Sequence, residues 1–330
     1  MMRGLIWATA LLCLGVCSTV TQAAVSVSES GDLITVKTAS AKYTFDKPGG
    51  GFRFIHDNDN NDWIGTGHGS NYQGIPNLVY PADYFHPYRK NCDAEVKSKS
   101  STKAVIRTWT KSDNWEIEWE FFDTYAKMNL KKKGSQKYWF LYEGEPGGKN
   151  LDSKTFWMNS AHGKQGMSTY AKDLPKPEWV AFGHESVKRV LFLLHYEDDG
   201  YEDHNRGGGC CSGMTVFGFG RDKGTGKYLT KAPQTFAIGF LETTDYTKVK
   251  AAVEAIHKGD AVAIKNASLS QPAAALPGIN YNKPVSVYDI SGKLIYSGMW
   301  NAAAIQPKMG VCFVRQASAT SSIVRRIEIR

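Results

Sequence analysis

The sequence has no CxxC pair, no Cys/His spacing of a structural zinc site and, beyond its first two dozen residues, no apolar run long enough to cross a bilayer. It also lacks the GxSxG elbow, the HExxH helix, the P-loop and the dinucleotide fingerprint. Those absences remove the esterase, zinc-protease and nucleotide-enzyme readings. No internal repeat is present, which disfavours propellers and solenoids. Helical periodicity is nearly missing too. Only "DYTKVKAAVEAIHKG" places Val249, Ala252, Val253 and Ile256 on one face, with Thr244 or Asp245 to cap it and Gly259 to end it.

What is present begins with "MMRGLIWATALLCLGVCSTVTQAA", where one Arg precedes an apolar run and small residues follow at Thr21, Ala23 and Ala24. This is the pattern of a secretory signal over residues 1–24, and it predicts a secreted or cell-surface protein without a transmembrane span. Cys17 invites a lipoprotein reading, but Val16 stands where a small residue is wanted. Of the six cysteines, Cys92, Cys210, Cys211 and Cys312 would remain after export. A bridge from Cys210 or Cys211 to Cys92 and free, packed thiols are both open.

Charge is concentrated in the tail. The chain carries +8, yet Arg3 leaves with the signal and the segment from Asn280 holds a net of +5, leaving about +2 for the centre. A nucleic-acid partner thereby loses its main support. Residues 260–283, with "NASLSQPAAALPG", have linker composition. From 284 to 330, "PVSVYDISGKLIYSG", "GVCFVRQ" and "SSIVRRIEIR" alternate apolar and polar residues, and a turn at Asp289–Gly292 predicts a hairpin in a small β-sandwich tail. "VYDISGKLIYSG" and "GVCFVR" resemble the C-terminal sorting domains of type IX (Por) secretion cargo, which implies the secretion machinery as a partner.

Residues 25–259 read as one large all-β domain. "DLITVKTA", "AKYTFDK", "AVIRTWT", "WEIEWEFF", "KYWFLYEG", "RVLFLLHYE", "GMTVFGFG" and "QTFAIGFLE" are strand-like and separated by Gly, Asn, Asp and Pro. "WEIEWEF" alternates strictly, so one of its faces meets solvent or substrate, whereas "RVLFLL" is apolar throughout and predicts cover on both faces. The opening "LITVKTASAKYTFDKPGGGFRFIHDNDNNDWIG" is similar to the start of galactose-mutarotase-like β-supersandwiches. The strand "FAIGFLETTD" resembles the late strand of aldose epimerases that carries the catalytic Glu. The resemblance implies a β-supersandwich, a saccharide substrate and Glu242 as base, although the family's HxYF segment is absent. "YEGEPGG" and "FGFGR" further resemble segments of a family of exported bacterial proteins.

Sugar sites need aromatic faces and a few polar groups. "GSNYQGIPNLVYPADYFHPYRKN" supplies Tyr72, Tyr84, His86, Tyr88 and Arg89, either as a binding loop or as a loop that buries its own rings. Glu143 closes a strand, and His162 lies beside a glycine turn. Glu242 follows a mostly apolar strand, where desolvation would raise it toward general-base range; capping the helix is the alternative.

The stretch "LHYEDDGYEDHN" packs five carboxylates and two imidazoles into residues 194–205. It could offer oxygens to a divalent cation such as Ca²⁺, but it lacks EF-hand order, and His195 to His204 is loose for zinc. Most of its carboxylates are expected to be solvated or paired with Lys or Arg, with His195 at the end of a strand pointing into a cleft.

These parts suit β-elimination on a uronate polymer. Arg89 or Arg221 would neutralise the carboxylate, and Tyr72, His162 or His195 would move protons. The alternatives are a mutarotase or epimerase pairing Glu242 with His162 or His195, a glycosidase, and a non-catalytic carbohydrate-binding protein.

Overall fold

The computed structural model describes residues 25–64, 76–79, 91–112, 114–207, 213–221, 227–259, 284–289, 293–299, 310–317 and 322–329. In chain order the first strands are β1 (Ser26–Ser30), β2 (Leu33–Lys37), β3 (Ala41–Asp46), β4 (Gly51–Asp57), β5 (Asn77–Val79) and β6 (Cys92–Lys99). They continue with β7 (Ala104–Thr110), β8 (Glu116–Phe121), β9 (Tyr125–Lys132), β10 (Trp139–Gly144), β11 (Thr155–Asn159) and β12 (Gln165–Gly166). β13 (Tyr170–Lys172), β14 (Glu178–His184), β15 (Val190–His195), β16 (Asp203–Arg206), β17 (Thr215–Phe219) and β18 (Gln234–Leu241) precede the helix α1 (Tyr246–Lys258). The tail adds β19 (Pro284–Asp289), β20 (Leu294–Met299), β21 (Gly310–Ala317) and β22 (Ser322–Ile329).

The central residues form an all-β sandwich. Its long layer is a nine-stranded antiparallel sheet in the order β12-β11-β14-β15-β18-β9-β8-β7-β6. Two shorter sheets face the inner side of that layer. The sheet β1-β2-β3-β4 sets Tyr43 and Phe52 against Trp119 and Phe121 of β8. The sheet β13-β16-β17-β10-β5 sets Phe140 and Tyr142 against Phe236 of β18 and Phe182 of β14. All these rings belong to one buried core. Fully burying a side chain of this size contributes about 1.5–3 kcal/mol, so the aromatic contacts hold the layers together.

The outer side of the long layer is divided. Where strands are apolar on both faces, as in β14, β15 and β18, α1 packs Val249, Val253 and Ile256 onto Trp179, Phe192 and Leu241. The helix is capped as its sequence predicts: Asp245 accepts from the Lys248 amide at 2.9 Å, and Gly259 ends it at φ 74°. Where alternation is strict, in β8 and β9, the outer face is left uncovered by α1 and carries Glu116, Glu118, Glu120, Lys127 and Asn129. Among the described residues α1 is the one helix, and no helix is long and apolar enough to cross a membrane.

The tail strands form a four-stranded antiparallel sheet, β20-β19-β21-β22, with β19 and β20 paired as the expected hairpin. The signal-like residues 1–24 and the linker 260–283 lie outside the described residues.

Gly183 marks the tightest joint under the helix. It pairs with Phe156, and a Cβ there would lie 2.3 Å from the Phe156 ring. Gly183→Ala is therefore expected to cost about 1–3 kcal/mol through overpacking, read as a lower urea midpoint.

Candidate functional site

Strand parity places the titratable groups in three zones. The first lies at one end of the core. Glu178, His195 and Gln234 start or end β14, β15 and β18 and point to the inner side, in line with Val180, Leu193 and Phe236. His195 is fully buried and stacks on Phe236 at 4.6 Å. Its Nδ1 is 2.6 Å from Glu178 Oε2, and its Nε2 is 2.6 Å from Gln234 Oε1. Oxygens on both sides favour the protonated ring. Burial alone would lower its pKa, but Glu178 and Gln234 outweigh burial and raise it. Burial raises the Glu178 carboxyl against the pull of His195.

The acidic loop folds over this end, which corrects the expectation of solvated or Lys/Arg-paired carboxylates. Asp203 is buried at the start of β16, and its oxygens accept from the Leu174 and Gly220 amides at 3.0 Å each. Asp199 accepts from the Tyr201 amide at 2.6 Å and Glu197 from the Thr235 amide at 2.8 Å. Burial raises both Asp199 and Asp203. Glu178, His195 and Asp199, and likewise Asp173, Glu178 and Asp203, bring ligand atoms within 4.8 Å of one another. Backbone amides fill both Asp203 oxygens and the imidazole fills Glu178 Oε2, whereas Asp199 Oδ2 has no hydrogen-bond partner among the described residues. His195 thus faces the core and not an open cleft.

The second zone is at the opposite end. Glu242 continues the inner-face series of Phe236, Ile238 and Phe240 beyond β18 and meets the nearly buried Arg189 at 3.1 Å. Arg189 also binds Asp57 and Asp59 at 3.0 Å each. Asp57 accepts from Trp63 Nε1 at 3.0 Å and from Asn61 Nδ2 at 2.9 Å. Burial opposes its charge, but these donors outweigh burial and lower its pKa. Burial raises the Glu242 carboxyl against the opposing pull of Arg189. Glu242 neither caps α1, a role filled by Asp245, nor approaches His195: Arg189 immediately precedes β15 and His195 ends it, six residues on and roughly 20 Å away at the β rise. His162 follows β11 at the His195 end, where the Ser160 amide reaches Trp179 O. Neither expected Glu242–His pair is assembled, because the antiparallel strands carry the members to opposite ends.

His162 is exposed at that edge. Its amide donates to Asn159 Oδ1 at 2.7 Å, and its ring meets Trp157 and Tyr170 edge-on.

The third zone is the outer face of the five-stranded sheet, and it gathers the expected substrate-binding residues Glu143 and Arg221. Trp139, Leu141 and Glu143 share this face of β10, opposite Phe140 and Tyr142, which enter the core. The Trp139 ring lies over Gly218, where a Cβ would meet Cε3 at 2.3 Å; "FGFGR" therefore needs its first glycine. Arg221 lies over that ring at 4.5 Å. Burial lowers its pKa, with the Glu143 carboxylate opposing and the Arg206 charge adding to the shift. Arg221 Nη1 is buried without a hydrogen-bond partner among the described residues. His204, passed over as a loose zinc spacing, is buried in β16 opposite Gly218. The signal available for it was alternation, which puts Asp203 inward and His204 outward.

Tyr72, Tyr84, His86, Tyr88 and Arg89 lie outside the described residues. So do Cys210 and Cys211, while burial pushes the Cys92 thiol up to about 12.

Neither a family model nor a curated protein matches the sequence. Among solved structures, a galactose mutarotase related enzyme from Lactobacillus acidophilus is 8% identical, covering 65% of this chain and 99% of its own, at a TM-score of 0.43. A galactose mutarotase-like protein from Lactobacillus casei is 9% identical over 63% and 99%, at 0.42. A YidC insertase is 10% identical over 76% and 48%, at 0.37. Likeness at this level carries no argument about activity.

Two expectations follow from the two ends of the core. Arg189→Met leaves Asp57 buried without its cation and should cost about 3 kcal/mol in urea unfolding. At the other end, the raised Glu178 and His195 values mean that the folded cluster binds more protons than the unfolded chain. Its stabilisation is present below the unfolded values of about 4.3 and 6.5 and is lost as pH rises through the raised ones. The urea midpoint should therefore fall from about pH 5 to about pH 8, and fall less in E178Q/H195Q. Equal slopes in both proteins would refute the assignment.

Proposed function

We propose that the protein is a secreted carbohydrate-active enzyme that acts on a uronate-containing polysaccharide by β-elimination at the outer face of the five-stranded sheet. The observation that carries this reading is Arg221, a partly desolvated guanidinium laid on Trp139 with a buried Nη1 that has no partner among the described residues. Such a donor fits a carboxylate that arrives with a sugar ring. The resemblance of the chain's opening to saccharide-acting supersandwiches supports the same class.

In this reading Arg221 pairs with the uronate carboxylate and makes the C5 proton more acidic. A base removes that proton, the electron pair forms the C4–C5 double bond, and the C4–O bond breaks. The leaving oxygen then takes a proton. His204 on the same face and Tyr72 from the aromatic loop are the candidate proton carriers. Residues 1–24 and 284–330 serve as the export address within this proposal.

A specific observation favours one other reading, a non-catalytic saccharide-binding protein: both nitrogens of His195 are tied to oxygens, and Glu242 is tied to Arg189. Ultraviolet absorbance during incubation with polygalacturonate separates the two, since only elimination creates the absorbing unsaturated sugar. Arg221→Gln should reduce turnover, or affinity if there is none, by about 30-fold or more, the ratio for a lost buried charge pair of about 2 kcal/mol. No absorbance change on a polymer that binds would remove the lyase reading. Unchanged affinity in the variant would remove the site.

A further inference from the structure

We infer that the open half of the nine-stranded sheet's outer face is a docking surface for an acidic polysaccharide chain, separate from the Arg221 face. The inference rests on the reading of the protein as one that handles uronate polymers, but on different residues. Along β8, Glu116, Glu118 and Glu120 form a line on this face. Lys97, Lys103 and Arg107 reach it from the β6–β7 side, and Lys131 and Lys132 from β9.

The two signs do not lie at the same height. The side chains of Glu116, Glu118 and Glu120 keep 15, 16 and 22% exposure, whereas those of Lys97, Lys103, Lys131 and Lys132 keep 55, 41, 48 and 58%. The acids of β8 are the more covered; Asp93 and Glu95 of β6 are exposed on the same face, Glu95 at 52% and 3.3 Å from Arg107, so the four exposed lysines outnumber the two exposed acids. Glu116 does not depend on lysine, since Arg107 grips it twice, at 3.0 and 3.1 Å. Glu120 likewise accepts from Asn129 at 3.2 Å. Exposed ion pairs of this kind are weak, so the lysine heads can turn to a ligand's carboxylates at little cost.

Aromatic rings stand at both ends of the line. Trp109, opposite Glu116, lies under Arg107 at 4.8 Å, and Phe122, just past β8, lies under Lys103 at 5.4 Å. Rings backed by cations suit a polymer whose units have an apolar pyranose face and one carboxylate each. Arg107 on β7 and the lysines of β9 are two strand spacings, about 10 Å, apart, with the acids of β8 between them. That sparse pattern fits one charge per sugar better than duplex DNA, which carries one per about 1.7 Å.

The test is binding of polygalacturonate to the full chain at low and moderate salt, with neutral dextran and duplex DNA as controls. K97Q/K103Q/K131Q/K132Q should weaken polygalacturonate binding at least about tenfold and flatten its salt dependence. Unchanged affinity overturns the inference, and so does DNA binding as tight as polymer binding and lost in parallel. If the fourfold variant fails to fold, K131Q/K132Q, which leaves Arg107 on Glu116, should still weaken binding about threefold. Loss in the lysine variant with no effect of Arg221→Gln upholds the docking surface and removes the Arg221 site. The reverse result removes only the docking surface.

Discussion

The apolar inner face of the nine-stranded sheet must be covered along its whole width, and the rest of the architecture answers that requirement. One short sheet covers β7–β9 and the other covers β14, β15 and β18, so Trp119 and Phe236 belong to a single core. The outer face obeys the same rule by strand. Where "RVLFLL" and "AIGFL" are apolar on both sides, α1 supplies the second cover; where "EIEWEF" alternates, no cover is needed and charge faces outward.

Closing the core at its two ends requires polar groups that satisfy one another. At one end His195 bridges Glu178 and Gln234 across three strands. At the other, Arg189 gathers Asp57, Asp59 and Glu242. Both sets contain residues that a sequence reading takes for catalytic, because a carboxylate or imidazole at the end of an apolar strand is the pattern of an active-site rim. It is equally the pattern of a core lid. What separates the two is whether the remaining lone pairs and protons are already matched, as those of His195 are.

Much of the fold was legible from periodicity. All eight quoted strand segments are strands, and the helix with its Asp245 and Gly259 ends is where its pattern puts it. β9 and β14 were not picked out: "YAKMNLKK" carries a basic end, and "EWVAFGH" opens on a carboxylate and closes on an imidazole, so neither reads as a simple strand. Half of the candidate site was legible in the same local way, since Glu143 and Arg221 stand in motifs that the sheet brings together. The pairing of Glu242 with a histidine was not, because it depends on which end of an antiparallel strand each residue occupies. The acidic loop misled for a related reason. Asp203 and Asp199 look solvent-seeking in sequence, yet the Leu174 and Gly220 amides of neighbouring segments draw Asp203 inward, and the loop's own Tyr201 amide holds Asp199.

The outer face of the five-stranded sheet differs from both ends in what it leaves unmatched. Arg221 is partly desolvated, and Glu143 answers it through charge, while Nη1 has no acceptor among the described residues. A half-buried guanidinium in that state costs free energy that the stacking on Trp139 offsets only in part. An anionic oxygen entering beside the ring would recover that cost, and a neutral sugar would not. The selectivity argued for this face therefore comes from a penalty built into the fold before any ligand arrives. Gly218 is part of the same device, because only a residue without a Cβ lets Trp139 lie flat enough to carry the arginine.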